Sequence, residues 1–425
     1  MANAEAAPAP QTADVMTTAD GTPLKVSLAR AVRKSKTKAA LLVAPLLLFL
    51  VITFIVPIFE MLTRSVSNPE VATHLPRTSL ALQQWDGNGI PSEEVFDALV
   101  QDLKDGRKNR TLGKVATRLN YEYSGARSTV MRSARRATRL DEPPYRDALI
   151  KIDKDWGNET LWRVIKRESS AYTAGYYLAA VDMEYTADGK IGKKPEDEQI
   201  YLSLFWRTVW MSILITFFTL LLGYPIAFLL ATLPSKHSNL LMILVLLPFW
   251  TSLLVRTTTW IAMLQTQGVL NDILVWIGLL SEDGRLQMMH NKIGTFVAMT
   301  HILLPFMILP LYSVMKTIPP SFMRAARSLG ATGPVAFWRV YVPQTIPGIG
   351  AGGILVFILS IGYYITPALV GGQSGIFITN FIAYHMQTSL NWGLAAAIGS
   401  ILLFLVLALY LIYNRLIGVD NMKLG

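Results

Sequence analysis

Cysteine is absent from all 425 residues. That rules out a disulfide-stapled domain, a Cys-ligated zinc, an iron–sulfur cluster and a thiol nucleophile. Charge is scarce as well: 16% of residues are charged, against ~25% in soluble globular chains. Hydrophobic residues make up 52%, so neither a disordered chain nor an ordinary soluble enzyme fits. No G-x-x-x-x-G-K-[ST] phosphate loop occurs, which removes that route to binding ATP. The five histidines (His74, His237, His290, His301 and His385) are scattered and form no H-E-x-x-H, and no Asp pair falls within an apolar run. A metal-dependent or intramembrane enzyme therefore lacks its catalytic groups.

What remains is uneven. Residues 65–203 hold 21 Lys+Arg and 21 Asp+Glu, and the rest of the chain holds 18 and 8, which supplies the whole net charge of +10. A sequence pI near 9.6 could suggest nucleic acid. Here the surplus basic residues flank apolar runs, which points to membrane topology and to no nucleic-acid partner.

Those runs decide the class, because a helix crossing the hydrocarbon core needs about 20 mostly apolar residues. Residues 39–59, 208–235 and 293–315 carry no charge, 237–255 lack Lys, Arg, Asp and Glu, and 340–414 lack them for 75 residues. Six spans follow, at roughly 39–63, 204–232, 239–265, 293–316, 346–370 and 393–415, with the Gly-, Ser-, Asn- and Gln-rich stretch 371–392 read as a loop. The first run exceeds the ~7–15 apolar residues of a cleavable signal. Residues 1–24, rich in Ala, Thr and Pro, read as a solvated tail.

Lys and Arg in short loops orient the spans. Arg30, Arg33, Lys34, Lys36 and Lys38 precede the first span, so 1–38 is expected in the cytosol. Six crossings put Lys236, the loop 316–345, and the tail 416–425 with Lys423 on that same side. Segment 64–203 is then exported as a charged insertion. In it, Ser92 is expected to cap a helix whose apolar face is Val95, Phe96, Leu99, Val100 and Leu103 and which ends at Gly106. Residues 161–185 read as helix, and Asp188-Gly189 as a turn. The insertion is either a docking cap for an extracytoplasmic partner or a scaffold packed on the span ends.

Ion-coupled carriers place titratable groups inside their spans. Here Glu60, Arg207 and Arg256 lie towards the outer helix ends, and His301, alone within span four, reads as a packing residue. Any energy source is expected on another polypeptide.

The most informative stretch lies in the loop 316–345. Pro319-Pro320 stops a helix, Ser321 suits an N-cap, and Gly330 suits the left-handed residue that closes the helix after it. Thr332 or Gly333 starts a second short helix with Pro334 in its first turn. Ala325, Ala326 and Leu329 form a small-residue face that needs a partner. This stretch resembles the E-A-A-x-x-x-G loop of ABC importer permeases, with matches at Ala325, Ala326, Gly330 and the downstream Pro343; the family's leading Glu is Arg324. Residues 247–252, 255–257, 260–261, 268–271, 304–312 and 366–372 are similar to the spermidine/putrescine subfamily, and the resemblance covers roughly 204–415.

The resemblance implies an all-α membrane protein with the six-helix type I importer permease fold, a permease core at 204–415 and no catalytic role. It implies an ATPase-coupling loop carried by Arg324, Ala325, Ala326, Leu329, Gly330, Ala331 and Pro343. The implied partners are a second permease subunit, copy or paralogue, two cytosolic ATPase subunits holding ATP and Mg, and an extracytoplasmic solute-binding protein. The implied setting is a bacterial inner membrane, with both termini cytosolic, and the solute a polyamine or another small organic or inorganic molecule. No cofactor or metal is expected on this chain. Trp and Tyr at span ends are belt anchors first; Trp250, Trp260, Tyr363 and Tyr364, with Arg256, are the candidates for the translocation pathway. Relatives often carry an acid near Tyr363 or Tyr364, and this chain has none, so a polycation would meet aromatic faces or the second permease. Gly348 and Gly352 form a small-x-x-x-small pair, and Gly223 with Pro225 marks a place where span two could bend.

Overall fold

The structure, a computed structural model, describes residues 24–186 and 189–417. The tail up to residue 23, Asp188 of the expected turn, and 418–425 with Lys423 lie outside the described residues. The chain divides into two units, residues 1–61 and 62–425.

The first unit is helical. Helix α1 (Leu24–Leu50) passes through a π turn at Val51–Ile55 into α2 (Val56–Arg64), and Leu28–Arg64 forms one candidate span of 37 residues. At 1.5 Å per residue this far exceeds the ~30 Å hydrocarbon core, which leaves length for the basic stretch before Ala39 to project beyond it. The π turn immediately precedes Pro57, whose ring removes one ladder hydrogen bond.

The second unit opens with a helical cap: α3 (Pro69–His74), α4 (Pro76–Gln83), α5 (Glu93–Lys108), α6 (Leu112–Glu122), α7 (Ala126–Ala137), α8 (Tyr145–Ile152), α9 (Glu159–Glu168) and α10 (Gly175–Ala180). The apolar face expected on α5 is buried against Leu119, Trp156 and Trp162 in one cluster. Both indole N–H groups find acceptors, Trp156 in Ser133 Oγ (2.7 Å) and Trp162 in the Trp156 carbonyl (2.8 Å). Ser92 precedes α5 in extended backbone but makes no capping bond. Nor does Gly106 end that helix, which runs to Lys108. A Cβ at Gly106 would stand 2.6 Å from Leu112 Cδ2, so a larger residue there would displace that side chain.

The cap closes on itself at a neck. Asn68 N–H donates to the Ala171 carbonyl (2.8 Å), and Thr173 N–H donates to the Val66 carbonyl (2.9 Å). This pairing corrects the expectation of helix across 161–185: α9 stops at Glu168, the neck occupies 171–173, and the chain ends in strand β1 (Met183–Tyr185), antiparallel to β2 (Ile191–Lys193). Gly189 lies between the strands at φ +74. Asp182, at φ 58, sends its carboxylate onto the backbone N–H groups of Ile200, Tyr201 and Leu202. It thereby caps α11 (Tyr201–Thr232).

The remaining helices are α12 (Ser235–Leu246), α13 (Leu253–Leu264), α14 (Val269–Trp276), α15 (Lys292–Thr317), α16 (Ser321–Ser328), α17 (Gly333–Ala336), α18 (Val342–Gly362), α19 (Ile365–Val370), α20 (Gly372–Gly375), α21 (Ile378–Gln387) and α22 (Trp392–Ile417). Among the described residues, five helices are long and apolar enough to cross a membrane, and six if one bent pair counts as a span. That pair corrects the expected continuous span 239–265: α12 and α13 meet at 98° across a 3-10 turn at Leu247–Trp250. Pro248 cannot donate to the ladder, and Ser252 restarts the helix by accepting from Val255 N–H (3.2 Å). A second correction concerns 371–392. It holds α20 and α21 and is no open loop; Thr295 Oγ1 donates to the Gly375 carbonyl (3.0 Å), and the Thr208 hydroxyl accepts from Ile378 N–H (2.9 Å).

Helices α11, α15 and α18 form the centre, with Met211, Ile215, Met299, Met307, Leu311 and Val356 buried together. Close approach is bought with glycine. A Cβ on Gly352 would lie 2.8 Å from Met307 Sδ, one on Gly348 would lie 3.2 Å from Leu311 Cα, and one on Gly223 would lie 3.3 Å from Met307 Cγ. The expected small-residue pair therefore faces α15. Helix α11 stays continuous through Pro225, and Gly223 serves packing there.

Candidate functional site

Helix α16 lies between the fourth and fifth spans with no fully buried residue. Its end is a Schellman turn: Gly330 N–H bonds the Arg327 carbonyl (3.0 Å) and Ala331 N–H the Ala326 carbonyl (3.1 Å), with Gly330 at φ +87. Ser321 opens the helix as its first residue, and Pro320 occupies the N-cap. Thr332 occupies the N-cap of α17 without a side-chain capping bond, and Pro334 lies in the first turn. Arg324 and Ala325 are exposed, Ala326 and Ala331 half-buried, and Leu329 is 89% exposed. Pro343 sits in the first turn of α18 and not in a loop, just after a π turn, as Pro57 does in the first span.

Aromatic contacts root this exposed segment. A π turn at Phe337–Tyr341 joins α17 to α18. In it the Phe337 and Tyr341 rings stack with centroids 5.6 Å apart, and Phe228 of α11 meets both edge-on at 5.4 and 5.3 Å. Tyr224, one turn earlier on α11, hydrogen-bonds Thr345 of α18 (3.1 Å). Met323 and Ile318 pack against the same core. These contacts pack the segment after α16 against α11 and α18.

The second group lies around α13. Trp260 Nε1 donates to His301 Nδ1 of α15 (3.1 Å), with the rings 5.1 Å apart. That bond leaves His301 Nε2 as the ring's donor position when neutral. Arg256, one turn before Trp260, lies within electrostatic reach of His301 and Tyr363, and its Nε is buried without a hydrogen-bond partner. Tyr363 and Tyr364 join α18 to α19, and their carbonyls accept from Thr379 Oγ1 (2.7 Å) and Asn380 Nδ2 (2.8 Å) of α21. Trp260 and His301 are thus in contact, with Arg256 within electrostatic reach of His301 and of Tyr363. Trp250, 76% exposed, stands apart at the α12–α13 bend, and Tyr364 is exposed without a described link to these residues.

Residues 222–417 match the family described as binding-protein-dependent transport system inner membrane component. The chain is 36% identical over 222 residues to the spermidine/putrescine transport system permease protein PotB of Haemophilus influenzae, covering 52% of this chain and 77% of that one. It is 34% identical over 226 residues to the protein of the same name from Escherichia coli K12, covering 53% and 82%. The chain belongs to this family of permeases. The inner membrane ABC transporter permease protein YdcU of Escherichia coli K12 is also similar, at 34% over 223 residues, covering 50% and 70%. Among solved structures, a bacterial ABC transporter involved in the import of the acidic polysaccharide alginate matches at TM-score 0.42 and 20% identity, over 52% of this chain and 80% of that one.

The permease is therefore a multi-pass membrane component of a binding-protein-dependent ABC importer, and not an enzyme. The family match takes in both residue groups above, while the cap precedes it. Sequence reading took His301 for a packing residue and did not pair it with Trp260, its hydrogen-bond donor 41 positions away; the packing of α13 on α15 brings the two together.

Proposed function

We propose that this permease works as one half of a transmembrane pair. A second permease subunit, two cytosolic ATPase subunits and an extracytoplasmic solute-binding protein complete the importer. Solute moves inward by alternating access, and the solute is a polyamine such as spermidine or putrescine. ATP and Mg belong to the ATPase subunits. Both termini lie in the cytosol, as the basic residues before the first span require.

The observation that carries the coupling role is the exposed, glycine-terminated α16 held to the core by rings. The face of Arg324, Ala325, Ala326, Leu329, Gly330 and Ala331 seats in a groove of the ATPase, and Pro343 fixes the start of the helix that receives the push. Arg324 puts a positive charge where the family's Glu stands, so its groove presents an acceptor. The test is Gly330→Asp. No atom lies within 4 Å of a Cβ there, but an L residue at φ +87 is strained by about 1–2 kcal/mol. Membrane insertion stays normal and solute-stimulated ATP hydrolysis is lost; intact coupling in this variant refutes the assignment.

The polyamine reading rests on the named relatives. A second reading, another small solute, draws on the described spans beyond residue 200: they hold Arg207, Lys236, Arg256, Lys292, Lys316, Arg339 and Arg415, and no Asp or Glu. Under the polyamine reading Trp250, Trp260, Tyr363 and Tyr364 offer ring faces to ammonium groups, and carboxylates come from the second permease. ATP turnover of the assembled importer against amines, sugars, anions and amino acids separates the two.

A further inference from the structure

The centre of the fold leaves a groove between the first turns of two spans that the transport reading does not use. It is a cavity of about 440 Å³ lined by Trp206, Arg207, Trp210, Leu214, Lys292 and Phe296, among others. Its composition is split by height. Arg207 on α11 and Lys292, the first residue of α15, mark one rim, and everything below them is aromatic or aliphatic.

The wall has a regular origin. Trp206, Trp210, Leu214 and Phe218 recur at four-residue spacing along one face of α11, a stripe of about 18 Å. Phe218 closes the lower end edge-on against Phe296 of α15, with centroids 4.9 Å apart. Trp206 is 71% exposed and Trp210 49%, so these rings are not consumed by the protein's own core.

The rim carries surplus positive charge. Arg207 spends one N–H on the Gln373 carbonyl (2.9 Å), which fixes the guanidinium in place. Neither Arg207 nor Lys292 makes an ion pair among the described residues.

We propose that this groove is a binding site for one anionic phospholipid. The headgroup phosphate lies between Arg207 and Lys292, and an acyl chain runs down the Trp210–Leu214–Phe296 wall. A diester phosphate matches the two neighbouring cations, and a methylene chain matches the dry wall beneath. Indoles at headgroup level suit the boundary between them. A soluble anion would meet the same rim but would leave the wall bare, and a second permease chain would have to bury a phosphate-sized cationic step.

The test uses the full chain, purified in detergent and examined by intact-complex mass spectrometry with added phosphatidylglycerol or phosphatidylcholine. One phosphatidylglycerol stays bound in preference to phosphatidylcholine. Arg207→Gln with Lys292→Gln lowers that preference roughly 30-fold, the share expected of two interfacial cations. Should loss of the Gln373 contact unfold the double variant, Lys292→Gln alone lowers the preference about fivefold. Equal retention of the two lipids, an unchanged preference in Lys292→Gln, competition by inorganic phosphate alone, or crosslinking from position 206 to a second permease subunit overturns the proposal.

Discussion

Single side chains at the junction of cap and spans set how this permease responds to acid. His385 on α21 is held between the Tyr201 hydroxyl at Nε2 and the Ser389 hydroxyl at Nδ1, both at 2.8 Å. Burial, with Lys194 nearby, lowers its pKa from 6.5 to about 4. A base depressed in the folded state stabilises fully above its unfolded pKa and loses that contribution as pH falls towards the folded value. The window is therefore from 6.5 down to about 4, worth on the order of 3 kcal/mol across it. Thermal unfolding of the wild-type chain should fall off over that range, and His385→Gln should flatten the profile; an equally steep profile in the variant removes His385 as the cause. In the cap, burial pushes the Asp102 carboxyl up against the donors Thr78 N–H and hydroxyl, both 2.8 Å away. Neither effect is legible in sequence, because each depends on partners from distant elements.

At the scale of helices, the contact of α15 with α18 is specified by two glycines with different duties. A side chain on Gly352 would strike Met307, including its carbonyl at 3.2 Å, whereas one on Gly353 would meet only the Tyr413 hydroxyl at 3.5 Å. Gly352→Val should cost about 1–3 kcal/mol and lower the melting temperature in detergent, while Gly353→Ala leaves it near wild type. Equal losses would place the helix contact elsewhere. The spacing of Gly348 and Gly352 announces this contact in the sequence, as do the glycine-closed α16 and most of the spans, since a charge-free run of about 20 residues has few alternatives. Less legible were α20 and α21. Their Gly, Ser, Asn and Gln content reads as loop, and hydrogen bonds from Thr208, Thr295, Tyr363 and Tyr364 override it. The break in the third span had one signal, Pro248 within an apolar run, but composition says nothing of its angle.

For the whole molecule, charge density alone separates the cap from the spans, and the neck makes that separation physical. Chain entry and exit are joined by two backbone hydrogen bonds at 66–68 and 171–173. The cap core around Phe96, Trp156 and Trp162 shares no buried residue with the clusters of the spans. Contact with the spans runs through α10, whose Tyr176 and Ala180 are buried with Tyr201, Leu394 and Ile398, and through polar pairs such as Tyr121 with the Ser389 carbonyl (3.0 Å) and Tyr177 with Ser400 (3.0 Å). Replacing residues 70–169 by a short Gly-Ser linker should therefore leave a chain that still inserts and elutes as a monodisperse species, with a lowered melting temperature. Aggregation of that chain at normal expression levels would mean the spans require the cap to fold.

The right-angled break between α12 and α13 has one more consequence. Backbone that leaves the helix at membrane depth cannot face lipid tails, because its amides and carbonyls would go unpaired there. The Leu247–Trp250 turn must therefore be covered by protein or line water, and the expected outcome is a wet corner. A chain without a native thiol reads this out directly. Thr251→Cys reacts with a membrane-impermeant maleimide, while Leu240→Cys, partway along α12, stays unlabelled.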